Sequence, residues 1–433
     1  MRRLLPVLVV LGSALAALLL FEGVVRLFVR PSAVAWGRLG DRELPPLRLV
    51  PQAASPDFDP DLAMSPSLSQ GDLCGIFRED PEIGYTWAPS RVSRHGWWRA
   101  NALGARSETE TTASVPPGKR RVLVFGDSFA AGTRLPGAQT WAARLQDLRP
   151  DLDVVNFGVD GYGMAQSYLL FRRVRARMDW DAVVFVFVPR HDLWRDVNVS
   201  RWAGDRWPSY IPMPRFVPAG GDLRLVPGPY PRGTDVYVHD WPEASPALRH
   251  HLQSYDRFYD PLLFESPPVV GRMVSWKLLA VWMAERRKAV KRRAVMDDLD
   301  GEAFTVCERL LLRAQAEAAA AGKKFYAVTL PADGEASAMR RDQGARSRWQ
   351  KMVQHLRARG LQVVDLAPAL VSAPAGDLDA GADGTHYGPR ASWRIAHDLA
   401  RALPDQRLRW VSRNAQISLR DSRARGVSVR LKL

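Results

Sequence analysis

The chain has 433 residues, is 46% hydrophobic and 25% charged, and carries 61 Lys and Arg against 46 Asp and Glu, a formal charge of +15. That apolar content excludes a disordered chain, and the length accommodates two or three domains of roughly 150 residues or one α/β domain with large insertions. The cationic balance suits acidic partners (anionic lipid headgroups, acidic glycans or nucleic acid), although an Arg-rich high-GC composition accounts for it equally well. No nucleic-acid-binding signature accompanies the charge, and no nucleic acid partner is expected.

The first thirty residues read as a membrane segment. Arg2 and Arg3 precede an apolar run from Leu4 to Phe21, followed by Glu22, Arg26 and Arg30 among further apolar residues. About 18 apolar residues lie near the lower limit for spanning a bilayer. An uncleaved single-pass anchor is favoured over a signal peptide. Ala14-Leu15-Ala16 resembles a cleavage site, yet the apolar stretch 17–21 beyond it is an odd mature terminus. The short amino-terminal side is expected in the cytoplasm, which places the bulk of the chain on the extracytoplasmic face of the inner membrane.

Residues 31–118, rich in Pro, Ser and Trp, are expected as an irregular stalk and N-terminal cover without a core of their own. Residues 120–125 then form a buried-type strand ending at Gly126, and 141–148 a helix. Further strands are predicted at 153–157, 181–188, 324–330 and 361–366, with helices at 301–321, 347–359 and near 391–403. The run Asp181-Ala182-Val183-Val184-Phe185-Val186-Phe187-Val188 is nearly all apolar, as a central parallel strand covered on both faces requires. Strands alternating with helices predict a doubly wound parallel sheet over residues 119–403. Residues 195–300 interrupt the rhythm as one long insertion, containing a helix near 275–293 that ends in the basic run Arg286-Arg287-Lys288 and Lys291-Arg292-Arg293. That run is expected as a solvated helix face, with anionic lipid as its alternative partner. The basic tail 404–433 is open to a solvated or a membrane-facing reading. Trp97, Trp98, Trp194, Trp202 and Trp207 are expected as core or loop anchors, with a sugar-stacking surface as the alternative. Cys74 and Cys307 are expected to stay unpaired rather than to form one bridge. Without a C-x-x-C pair or a His/Cys cluster, no metal site is expected.

Two stretches carry chemistry. In Gly126-Asp127-Ser128-Phe129 a strand ends and a serine opens the next segment, at the strand end where open α/β sheets bind ligands. In Asp383-Gly384-Thr385-His386 the three-residue spacing lets a carboxylate reach Nδ1 of the imidazole and leaves Nε2 for a serine proton. Either alone is a weak signal; together they define a candidate Ser128–His386–Asp383 triad. A G-x-S-x-G elbow is absent, because Ala130 stands two residues after Ser128.

In this order the blocks resemble the SGNH, or GDSL, hydrolase superfamily. Gly126-Asp127-Ser128-Phe129 is similar to its first block. The second is matched by the stretch Asn156-Phe157-Gly158-Val159-Asp160-Gly161-Tyr162-Gly163, and the last by Asp383-x-x-His386. The resemblance implies a three-layer α/β/α, flavodoxin-like fold and a serine nucleophile. It also implies an oxyanion hole from the Ser128 and Gly161 amides, and no cofactor. Where the third block carries Asn, this chain has His191 in Pro189-Arg190-His191-Asp192; His191 is the expected third donor, through one ring N–H. Membrane-anchored envelope members of the superfamily are resembled by three further stretches. These are Glu22-x-x-x-Arg26, Asp80-Pro81-Glu82-x-Gly84-Tyr85 and Asn101-x-Leu103-Gly104-x-Arg106. The likeness implies cleavage or transfer of O-acyl groups, acetyl above all, on envelope or exported polysaccharide, with a membrane acyl-donor protein as partner of the transfer reaction. The alternative is a weakly active or inactive polysaccharide-binding or assembly protein.

Overall fold

The computed structural model describes residues 5–32, 35–47, 77–93, 96–203, 213–228, 246–265, 267–374, 378 and 386–403. Asp383, Cys74, Trp207 and the tail 404–433 lie outside them. Helix α1 (Leu5–Phe28) stands at the amino end. Within it Val7–Phe28 is long and apolar enough to cross a membrane, and only 6% of its most apolar window is buried against protein.

The N-terminal cover contributes a short antiparallel hairpin, β1 (Phe77–Asp80) and β2 (Gly84–Trp87). The sheet domain then opens with β3 (Arg120–Phe125), α2 (Ser128–Ala131), α3 (Trp141–Leu148), β4 (Leu152–Asn156) and α4 (Met164–Val174). Strand β5 (Ala182–Phe187) leads directly into α5 (Pro189–Arg195), whose first helical position is a proline that lacks the N–H a first turn leaves unused. The segment expected as a long insertion follows, with hairpin β6 (Arg215–Ala219) and β7 (Asp222–Val226), then α6 (Pro246–Tyr255) and α7 (Val274–Asp297). The alternation resumes with α8 (Glu302–Ala320), β8 (Lys324–Thr329), α9 (Asp333–Arg341), α10 (Gln343–Ala358) and β9 (Val363–Asp365). It closes with α11 (Pro389–Ala402).

The five main strands form one parallel sheet in the order β9-β8-β5-β3-β4. The first strand of this domain pairs with the second on one side and the third on the other. Connections after β3 and β5 therefore leave toward opposite directions and open a crevice at the carboxyl edge. Side chains alternate across the sheet as the pleat demands. Val122, Val124, Val184, Val186 and Val328 pack beneath α3 and α11, with Trp141, Leu145, Ile395 and Leu399. Leu123, Phe125, Val183, Phe185 and Phe187 face α4 and α8, with Phe171, Phe304 and Leu310. These two apolar faces make the three-layer α/β/α architecture.

The second face is dominated by an aromatic cluster. Phe125 lies 5.5 Å from Phe157, 5.6 Å from Phe171 and 5.6 Å from Phe185, and Phe171 meets Phe185 edge-on at 5.5 Å. The hairpin and its following loop add Ile83, Tyr85, Trp87 and Trp98 to this same core, so the cover is part of the domain. Trp98 and Trp194 are 4% and 3% exposed, which settles these two as anchors and leaves no face for a sugar. Cys307 is a buried free thiol that donates to the Asp196 carboxylate at 3.3 Å.

Phe185 is fully buried at the centre of the cluster. Replacing it by alanine removes a whole ring that its rigid neighbours cannot refill, and Phe185→Ala is expected to cost about 3–5 kcal/mol in denaturant unfolding. A loss below about 1 kcal/mol would show that the cluster is not close-packed.

Candidate active site

Ser128 is delivered by an abrupt strand-to-helix turn. Gly126 ends β3 so close to its neighbours that a Cβ there would lie 2.7 Å from Ala130 Cβ and 2.9 Å from the Val186 carbonyl oxygen. Asp127 then caps α2, its carboxylate accepting from the Phe129 N–H at 2.8 Å. Gly132, at φ 73°, ends the helix after a single turn. The outcome is a serine, 5% exposed, standing at the crevice between β3 and β5.

His386 reaches it from the far end of the chain. Its Nε2 lies 2.8 Å from Ser128 Oγ, across 258 positions of sequence. The ring lies 4.9 Å from that of Phe129, and the neighbouring Tyr387 hydroxyl donates to the Pro331 carbonyl at 2.6 Å. These contacts and the packing of α11 on α3 hold the loop in which His386 sits. Asp383, expected to orient the ring, lies outside the described residues.

The loop after β4 faces the serine from the other side. Gly158 presses onto α2 so tightly that a Cβ would come within 2.4 Å of the Ala131 nitrogen. Asn156 locks this approach, donating from Nδ2 to the Ala130 carbonyl and accepting the Gly158 N–H on Oδ1, each at 2.9 Å. Gly161 takes φ 76° in a turn closed by the Tyr162 N–H on the Val159 carbonyl, a conformation that favours glycine. Neither the Ser128 nor the Gly161 N–H has an acceptor among the described residues. Asp160 is buried beside them and accepts from the Thr133 hydroxyl; burial pushes its carboxyl above the usual range.

His191 departs from its expected use. Its Nδ1 lies 3.0 Å from Asp127 Oδ2, an oxygen that Arg195 Nη1 also contacts at 3.0 Å. Burial alone would raise the Asp127 carboxyl, but His191 and Arg195 hold it below its ordinary range. Burial and the Arg195 cation push His191 down to about 4, so at neutral pH the ring is uncharged. An uncharged ring has one N–H, and here that hydrogen goes from Nδ1 to the Asp127 carboxylate. Nε2 is left as an acceptor and has nothing to donate to an oxyanion. The sequence reading missed Asp127 as His191's partner and Arg195 as the second residue on that carboxylate. The signal available was the four-residue spacing of His191 and Arg195 on one helix face.

The cover holds both loops of the site from behind. Trp87 Nε1 donates to the Gly158 carbonyl at 2.7 Å, and the Tyr85 hydroxyl to the Asp160 carbonyl at 2.5 Å. Arg106 is buried under the serine turn, its guanidinium 3.6 Å above the Trp98 ring. Nη1 donates to the carbonyls of Ala131 and Gly132 at 2.5 and 2.7 Å. Nη2 donates to those of Leu135 and Trp97 at 2.5 and 3.2 Å. The cation thus satisfies the carbonyl end of α2, and burial lowers its pKa to about 9. The two stretches preceding the first block are therefore structural supports of the serine and the Gly161 loop. Among the described residues, no group of three or more His, Cys, Asp and Glu side chains is placed to hold a metal ion.

No family model and no curated protein matches the chain. Solved structures similar to it include a member of the lipolytic G-D-S-L family from Veillonella parvula DSM 2008. That match has 11% identity and TM-score 0.31, and covers 66% of this chain and 98% of that one. Also similar are the lipase/acylhydrolase from Enterococcus faecalis (14%, TM-score 0.30, 66% and 95%) and a catalytic mutant of an acetylxylan esterase from Geobacillus stearothermophilus (12%, TM-score 0.30, 66% and 95%). Likenesses this slight do not assign chemistry, which has to follow from the side chains described above.

Two outcomes check this geometry. His191→Leu is expected to lower kcat for a small ester less than tenfold, whereas loss of an oxyanion donor costs about 10²–10³. Arg106→Lys replaces a fork that reaches four carbonyls by a point charge. It is expected to lower the unfolding midpoint by several degrees and kcat by about tenfold or more, with KM little changed; an unaltered kcat would show that the turn stands without the guanidinium.

Proposed function

We propose that the chain is a serine-dependent ester hydrolase or O-acyl transferase of the SGNH type. The observation that carries this reading is the 2.8 Å contact between His386 Nε2 and Ser128 Oγ, with the Ser128 and Gly161 N–H groups left without acceptors among the described residues. Ser128 Oγ attacks the ester carbonyl while His386 takes its proton. The Ser128 and Gly161 amides hold the tetrahedral oxyanion. His386 then protonates the departing alcohol, leaving an acyl-serine. Asp383 is the group proposed to fix the imidazole tautomer, on the three-residue spacing alone. Water or an acceptor hydroxyl, deprotonated by the same imidazole, releases the acyl group.

The substrate class proposed is O-acylated, chiefly O-acetylated, polysaccharide of the envelope or exported from it. The chain would sit in the inner membrane through α1 with its catalytic domain outside the cytoplasm. Support comes from the three stretches shared with anchored envelope members, each of which has structural work here. Glu22 pairs with Arg26, Asp80 with Arg173, and Arg106 with the serine turn. Transfer to a second sugar would draw acyl groups from a membrane donor protein. The alternative, a weakly active or inactive binding protein, is favoured by one observation: His191 spends its N–H on Asp127, which leaves the oxyanion two amide donors.

Labelling of the full chain with a fluorophosphonate, together with hydrolysis of p-nitrophenyl acetate, tests the proposal. Wild type is expected to label and to release acetate. Ser128→Ala and His386→Ala should each lose about 10³-fold or more in kcat. Folded wild type that neither labels nor hydrolyses would favour the binding protein. A glycan acceptor that suppresses hydrolysis while becoming acetylated would identify the transferase.

A further inference from the structure

Helix α1 is fastened to the domain by a buried carboxylate. Glu22 Oε1 accepts the Val274 N–H at 2.8 Å and Arg26 Nε at 2.7 Å. Glu22 Oε2 accepts the Ser275 N–H at 2.9 Å and its hydroxyl at 2.6 Å. The first turn of α7 is therefore capped by a side chain from α1, and Arg26 also donates to the Arg272 carbonyl at 3.4 Å. Glu22 stands six residues before the end of α1, roughly 9 Å along its axis. The apolar run 5–21 that ends just before Glu22 is about 26 Å long, near the lower limit for spanning a hydrocarbon core. If that segment spans the bilayer, whatever binds Glu22 lies at the depth of its boundary.

The surface around this junction is built for that depth. Val269 and Val270, just ahead of α7, are 79% and 40% exposed, and Leu279, Trp282 and Val290 on α7 are 44%, 53% and 68% exposed. Leu279, Trp282, Arg286 and Val290 recur at intervals of three and four, one face of a helix. The basic run near the end of α7 divides between two faces. Arg287 pairs with Asp260, Lys291 donates to the Arg257 carbonyl, and Lys288 and Arg292 lie over Trp194, all toward the protein. Arg286 instead lies 4.3 Å over the exposed Trp282 ring, and Arg272 is exposed beside the anchor. An aromatic ring with a cation above it matches the boundary of a bilayer, where rings sit at headgroup level and basic groups meet anionic phosphate.

We propose that residues 269–282, with Arg286, form a second membrane contact, a shallow interfacial element that seats on anionic phospholipid and sets the height and tilt of the catalytic crevice above the bilayer. This rests on α1 being a membrane span. Full-length protein would be placed in nanodiscs of phosphatidylcholine with phosphatidylglycerol. An environment-sensitive fluorophore would be attached at Val269→Cys, Leu279→Cys or, as a remote control, Leu225→Cys, each in a Cys74→Ser background. Lipids carrying a nitroxide at the headgroup are expected to quench positions 269 and 279 at least twofold more than 225. Combined Arg272→Glu and Arg286→Glu should halve the quenching at 279 in these discs. Protein that migrates with the discs but shows equal quenching at all three positions would overturn the interfacial element. Protein that does not migrate with the discs would remove the anchor and the proposal together. Fluorophosphonate labelling of Ser128 in the same samples reads the proposed chemistry independently.

Discussion

The contact between Ser128 and His386 depends on the divergence of two neighbouring strands. Because β3 pairs with β4 on one side and β5 on the other, the segments leaving their carboxyl ends turn apart, and the serine turn stands in the space between. His386 arrives at that space only because α11 packs on α3, beneath the valine face of the sheet. A serine and a histidine from opposite ends of the domain are held at 2.8 Å by the packing of the elements that carry them.

The turn itself is costly to build, and most nearby polar groups serve it. A single helical turn buries carbonyls that it cannot satisfy internally. Arg106 takes the oxygens of Ala131, Gly132 and Leu135, while Asn156 takes that of Ala130. At the amino end, Asp127 is a buried carboxylate that would be expensive if unpaired, and it accepts from Phe129, His191 and Arg195. In this arrangement His191 is a partner of the capping carboxylate. The loop after β4 is anchored in the same manner by Tyr85 and Trp87, so a region without a regular pattern of its own fixes both walls of the crevice.

The same economy links the domain to α1. Glu22 follows the apolar run of α1, and its two oxygens accept four hydrogen bonds from α7 and Arg26. A carboxylate so placed joins two helices that sequence order separates widely.

Much of the architecture was legible in the sequence because parallel strands covered on both faces must be continuously apolar. Residues 181–188 carry that signature, and the structure has β5 there. The serine turn was legible only as a glycine ending a strand ahead of a serine; the lack of room for a Cβ at position 126 and the cap by Asp127 came from the structure. The sequence by itself determined the alternation of strands and helices, the apolar character of α1 and the two short stretches from which a serine and a histidine could meet. Tertiary structure alone decided that they do meet, since a distance spanning 258 positions is set by how the helices pack. It also decided the fate of the His191 hydrogen. A ring nitrogen's partner depends on which side chain stands 3 Å away, and the pairing of β3 with β5 brought Asp127 to the helix that carries His191 and Arg195.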